Sequence, residues 1–108
     1  MGATGTTNTI NTRNIFSNIS TLDNLRKAYS DEVDKLSSEQ YESQRSFSEE
    51  IDNLDTAYYR NKTIDKDTYT AVKQNLQSDR QNAIDYYNNL INKANQDYKV
   101  MRDKLENI

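Results

Sequence analysis

From Thr6 to Ile108 the chain contains neither glycine nor proline. The two residues that most often end helices and build tight turns are missing from almost its whole length. A turn-rich sandwich or barrel is therefore ruled out, and long uninterrupted helices are favoured. The 108 residues hold one small or elongated domain. Cysteine, histidine and tryptophan are absent, which removes disulfide frameworks, thiol and imidazole chemistry and the commonest metal ligands. Most enzyme classes are thereby excluded, and no catalytic residue, metal or cofactor is expected.

Hydrophobic spacing defines two helices. Ser20-Thr21-Leu22-Asp23 reads as a helix start, a hydroxyl cap followed three positions later by an acid. A first helix is expected over 21–60, where Leu25, Leu36, Phe47 and Tyr58 recur every eleven residues beside a second row of Tyr29, Gln40 and Ile51. Such a repeat corresponds to about 3.67 residues per turn, so the seam runs nearly straight or slightly right-handed. Its middle, residues 37–50, is apolar only at Tyr41 and Phe47 and should be soft.

Residues 61–65 break the pattern. Asp65 is placed to cap a second helix over 66–107, with Ile64 and Tyr69 as a hydrophobic staple. Three rows seven residues apart follow: Tyr69, Leu76, Ala83 and Leu90; Ile84, Ile91, Tyr98 and Leu105; Tyr87, Ala94, Met101 and Ile108. Together they are wider than a two-stranded coiled coil needs. Antiparallel pairing with residue numbers totalling about 127 matches Tyr58 with Tyr69, Ile51 with Leu76, Tyr41 with Tyr86, Leu36 with Ile91, Val33 with Ala94, Tyr29 with Tyr98 and Leu22 with Leu105. The expected fold is all-α, a long antiparallel two-helix hairpin over 20–108 with an extended polar N-terminal arm over 1–19. Its intramolecular seam comprises Leu25, Tyr29, Leu36, Phe47, Ile51, Tyr58, Leu76, Leu90, Ile91, Tyr98 and Leu105. Without a glycine or proline to enforce reversal, one continuous rod or a swapped dimer is also compatible with this pattern.

The arm carries five Thr, four Asn and one charge, Arg13. It has neither the basic nor the apolar region of a signal peptide, and no later segment is apolar enough to span a bilayer. Its expected anchor is Ile15-Phe16-x-x-Ile19, which either grips a partner or folds back on its own helix end. Tyr59 and Tyr86 adjoin core tyrosines and must point sideways; with Tyr41 they are candidates for intermolecular contact, since interfaces favour tyrosine. Tyr87, Met101 and Ile108, on the extra row of the second helix, complete the partner-binding set.

Other chemistries find little support. Asp65-Lys66-Asp67 opens like a calcium loop, but Leu76 stands where the bidentate Glu belongs. Residues 21–60 carry ten acids against five bases and residues 61–108 seven against eight, so neither helix offers a phosphate-tracking stripe. No nucleic-acid readout, membrane or small-molecule substrate is expected.

Leu, Ile, Val and Phe supply 20 of the 108 residues, at the edge of what sustains a packed core. Two rods of this length own too little apolar surface to satisfy themselves, which points to burial against companions. The abundance of Asn, Lys, Ile and Tyr over Gly, Ala, Arg and Pro is that of an AT-rich coding sequence.

Two families share parts of this pattern. The hairpin is similar in size to small secretion proteins with a Trp-x-Gly turn, but Arg60-Asn61-Lys62 stands at that turn and no tyrosine precedes an acid by four positions. As a whole, the polar arm, long hairpin and missing catalytic side chains resemble the short, Asn- and Tyr-rich helical accessory proteins in virions of tailed bacteriophages of low-GC hosts. That resemblance implies a structural protein, produced in the bacterial cytoplasm and built into the portal, neck, inner core or tail, whose partners are its own copies and other assembly proteins. A small acidic regulator docking on one host protein through the second helix is the alternative; a secretion partner is a third reading.

Overall fold

Helix α1, Leu22–Asp55, begins where the Thr21 hydroxyl accepts the Asn24 N–H at 3.2 Å. The cap is thus one residue later than the Ser20 expected, and Asp23 lies in the first turn, where its charge suits the helix dipole. The structure, a computed structural model, describes residues 13–107.

The first helix does not remain α-helical to residue 60. Thr56–Arg60 widen into a π-helical turn, in which the Asn61 N–H reaches back to the Thr56 carbonyl at 2.9 Å. The chain then reverses through Lys62, which supplies the left-handed turn conformation (φ 55°) that glycine would ordinarily provide. Thr63 seals the end, its N–H bonding the Ala57 carbonyl at 2.9 Å. Asp65 caps the second helix as its position predicts, accepting the Thr68 N–H at 2.7 Å, and α2 runs over Lys66–Glu106. Within Ser37–Asn88 the chain thus turns back on itself, the two helices running antiparallel and not as one continuous rod.

Two units make up the chain, one of Met1–Leu36 with Asn89–Ile108 and one of Ser37–Asn88. In the first, Leu25, Ala94, Met101 and Phe16 form a buried cluster, with Ile19, Ala28, Tyr29, Val33, Tyr98 and Leu105 packed against it. Tyr29 stacks on Tyr98 at 4.4 Å, as the antiparallel register requires. Residues 15–18 form turns, not an extended strand, and Phe16 drops between the helices with its ring edge-on to Tyr29 at 6.4 Å. The extra width of the α2 stripe here is occupied by the chain's own arm: Ala94 is fully buried and Met101 nearly so.

The second unit is much leaner. Among its described residues Tyr69 is the one buried apolar side chain, while Phe47, Ile51, Leu76 and Tyr87 are half-buried. Polar contacts fix its alignment: the Gln40 side-chain amide donates to the Ile84 carbonyl at 3.0 Å and to the Asn88 side chain at 2.9 Å. Exposed pairs such as Arg45–Glu49 decorate α1 and, screened by water, add little to stability. Removing packing should therefore matter unequally. Leu25→Ala is expected to cost about 3 kcal/mol and Phe47→Ala about 1 kcal/mol, read from urea unfolding midpoints at unchanged slope.

Candidate functional site

The hairpin tip gathers the most distinctive chemistry of Ser37–Asn88. Tyr58 stacks on Tyr69 at 4.3 Å, with the rings 12° from parallel, and Tyr59 meets the same ring edge-on at 5.5 Å. Two consecutive residues reach one aromatic partner within the π-turn, which widens the helix at this point. Tyr59 nonetheless stays 64% exposed. It forms a ridge between two open grooves, one lined by Tyr58, Lys62 and Ile64, the other by Asp52, Asp55, Thr56 and Arg60.

Beneath the ridge lies a three-residue polar network. The Tyr69 hydroxyl donates to Asp55 at 2.7 Å, and the Lys73 ammonium donates to that hydroxyl at 2.9 Å and to the Asp55 carboxylate at 3.3 Å. The Tyr69 hydroxyl, with Lys73 behind it, holds the Asp55 carboxyl below its ordinary range. Its bond to Tyr69, and then to Asp55, holds Lys73 above its own. The arrangement braces the tip by tying α2 to the end of α1. Among the described residues no three acidic side chains converge as a metal cluster, and no helix is long and apolar enough to cross a membrane.

A second site lies in the first unit, where the arm is docked. Asp97, buried on α2, accepts the Ile15 N–H at 3.0 Å and pairs with Lys93 at 2.8 Å. Lys93 also donates to the Arg13 carbonyl at 2.9 Å, and the Asn14 side-chain amide donates to the Asp97 carbonyl at 3.1 Å. Asn14 in turn accepts the Phe16 N–H at 2.8 Å, forming the turn that aims the ring inward.

Of the expected partner-binding residues, Tyr41, Tyr59 and Tyr86 are exposed, as is Ile15 at 48%. Phe16, Ile19 and Met101 instead belong to the internal cluster, because the wide α2 stripe leaves a groove that the arm fills. Tyr87 is half-buried against Tyr86, the rings 5.2 Å apart and edge-on, and Ile108 lies outside the described residues. All eleven seam residues are buried or half-buried. Two positions that order these sites, Asp97 and Lys73, went unnoticed in the sequence. Asp97 continues the row Tyr69, Leu76, Ala83, Leu90, so a charge breaking an apolar row was its signal. Lys73 and Arg80 occupy the two heptad positions before the row Tyr87, Ala94 and Met101, so Lys73 had no comparable signal.

No protein-family model, no curated protein and no solved structure is significantly similar to the chain.

Two measurements probe these sites. A carboxyl held below its unfolded value stabilises the fold above that value and loses the contribution as pH falls. Wild-type stability should accordingly drop more steeply below about pH 4 than that of Asp55→Asn, in pH-dependent thermal melts. Asp97→Ala strands Lys93 and the Ile15 N–H, and should lower unfolding stability by about 3 kcal/mol in urea titrations.

Proposed function

We propose that the protein is a non-enzymatic structural component of a multi-copy assembly, acting by helix packing. The observation that carries this reading is the imbalance of Ser37–Asn88, with one buried apolar side chain, Tyr69, against exposed Tyr41, Tyr59, Val72 and Tyr86. Large apolar groups left in water favour association, and tyrosine serves interfaces well because its ring is apolar while its hydroxyl tolerates the wet rim. The assembly we infer is a tailed-bacteriophage particle, with the protein in the portal, neck, inner core or tail. AT-rich residue usage and the missing catalytic side chains support that setting. The alternative, an acidic regulator docking through α2, is weakened because Ala94 and Met101 on the extra row are covered by the chain's own Phe16.

Sedimentation velocity of the purified protein is expected to show species well above the 12.6 kDa chain, shifting toward monomer when Tyr41, Tyr59 and Tyr86 are replaced together by alanine. A monomer at every concentration, melting sharply at high temperature, overturns the assembly reading. Mass spectrometry of purified particles is expected to find the protein in many copies; a one-to-one complex with a host protein overturns the virion reading in favour of the regulator.

A further inference from the structure

We propose that residues 13–19 are an exchangeable plug: in the assembly, the Asn14-Ile15-Phe16 turn of one copy fills the groove between Leu25, Ala94 and Met101 of another and bonds that copy's Asp97. This rests on the multi-copy reading above and adds to it the element that joins one copy to the next.

Four observations lead to it. First, the plug is a self-contained recognition element. Its ring placement is preset by the Asn14 side chain, and its other bonds run within the plug or to α2 at Lys93 and Asp97. Second, the socket is built to receive it. Ala94 is fully buried, so the groove floor lets a ring approach closely, and beside it the Asp97 carboxylate is aimed at the Ile15 N–H. With the plug withdrawn, the socket would present an open apolar groove next to a buried carboxylate, and any chain offering the same turn would refill it. Third, the tether is minimal. Ser20 and Thr21, both exposed, join the plug to α1. The Thr21 side chain belongs to the helix cap rather than to the plug, so opening at Ser20 breaks neither. Fourth, the reach suffices. With the Asn14–Phe16 turn kept, the five residues from Ser17 to Thr21 extend at most roughly 17 Å, more than the diameter of a helix with its side chains, so the socket of a hairpin packed alongside is within range.

The exchange creates no new kind of contact. Each bond between plug and socket made within one chain is remade between two, so the equilibrium is set by local concentration and by whatever else the copies bury together. A dilute chain keeps its own plug. Copies held side by side through their exposed tyrosines raise the concentration of neighbouring plugs, and exchange then locks an association that the tyrosines begin.

The test uses the full chain, half of it carbon-13 labelled and half unlabelled, mixed in urea and refolded together at high concentration. Isotope-filtered NMR reports whether the Phe16 ring contacts the Met101 methyl of the same copy or of another, and sedimentation velocity is run on the same sample. Intermolecular Phe16 to Met101 contacts are the expected result. Oligomers with purely intramolecular contacts overturn the exchange and leave the assembly reading standing, whereas a sample that is monomeric throughout overturns both. As a second measurement, Phe16→Ala is expected to weaken association at least tenfold. Undiminished association by a folded Phe16→Ala protein overturns the proposal.

Discussion

Phe16 against Leu25, Ala94 and Met101 is the contact on which the order of the first unit depends. Two helices alone meet along a line, and a line of side chains buries few atoms completely. A third element laid into the furrow closes it, and in this protein the fully buried positions, Leu25 and Ala94, lie where that third element sits. The polar latch at Asp97 gives the ring its address. By satisfying the Ile15 N–H and anchoring Lys93, the carboxylate makes one docking geometry far better than its neighbours, which greasy contact alone would not do.

Where no third element lies in the furrow, the chemistry changes. Between Ser37 and Asn88 the seam is held by half-buried side chains, by the Gln40 amide gripping α2, and by the Tyr69, Asp55 and Lys73 network under the tip. Hydrogen bonds to partly wet groups contribute modestly but are directional. They align the helices more than they cement them, leaving an aligned scaffold whose exposed aromatic groups remain available for other surfaces.

Much of this was legible in the residues. The eleven-residue row on α1 and the heptad rows on α2 predicted which side chains face inward, and the pairing of Tyr29 with Tyr98 and Tyr58 with Tyr69 emerged from numbering alone because an antiparallel hairpin leaves one register free to vary. The Asp65 cap was equally plain. Less visible were features in which a side chain answers to tertiary context. The fate of Phe16 depended on whether the third row of α2 faced outward, and only its fit beside Ala94 decides that. The π-turn has no composition signature, since Thr56–Arg60 would be acceptable in an ordinary helix. Asp97 follows one apolar row and Lys73 precedes another, positions that read as solvent-exposed until the neighbouring backbone is known.

The reversal itself carries an implication for how such a chain can drift. Lys62 holds a backbone conformation that costs a side-chain-bearing residue about 1 kcal/mol, and glycine would adopt it freely. The cheapest route to a sturdier bend is therefore a single substitution that also deletes the amine lining the groove beside Tyr58 and Tyr59. A chain with lysine at this bend forgoes an easy gain in robustness. What it retains in exchange is a charge displayed beside tyrosine rings at the outermost point of the reversal.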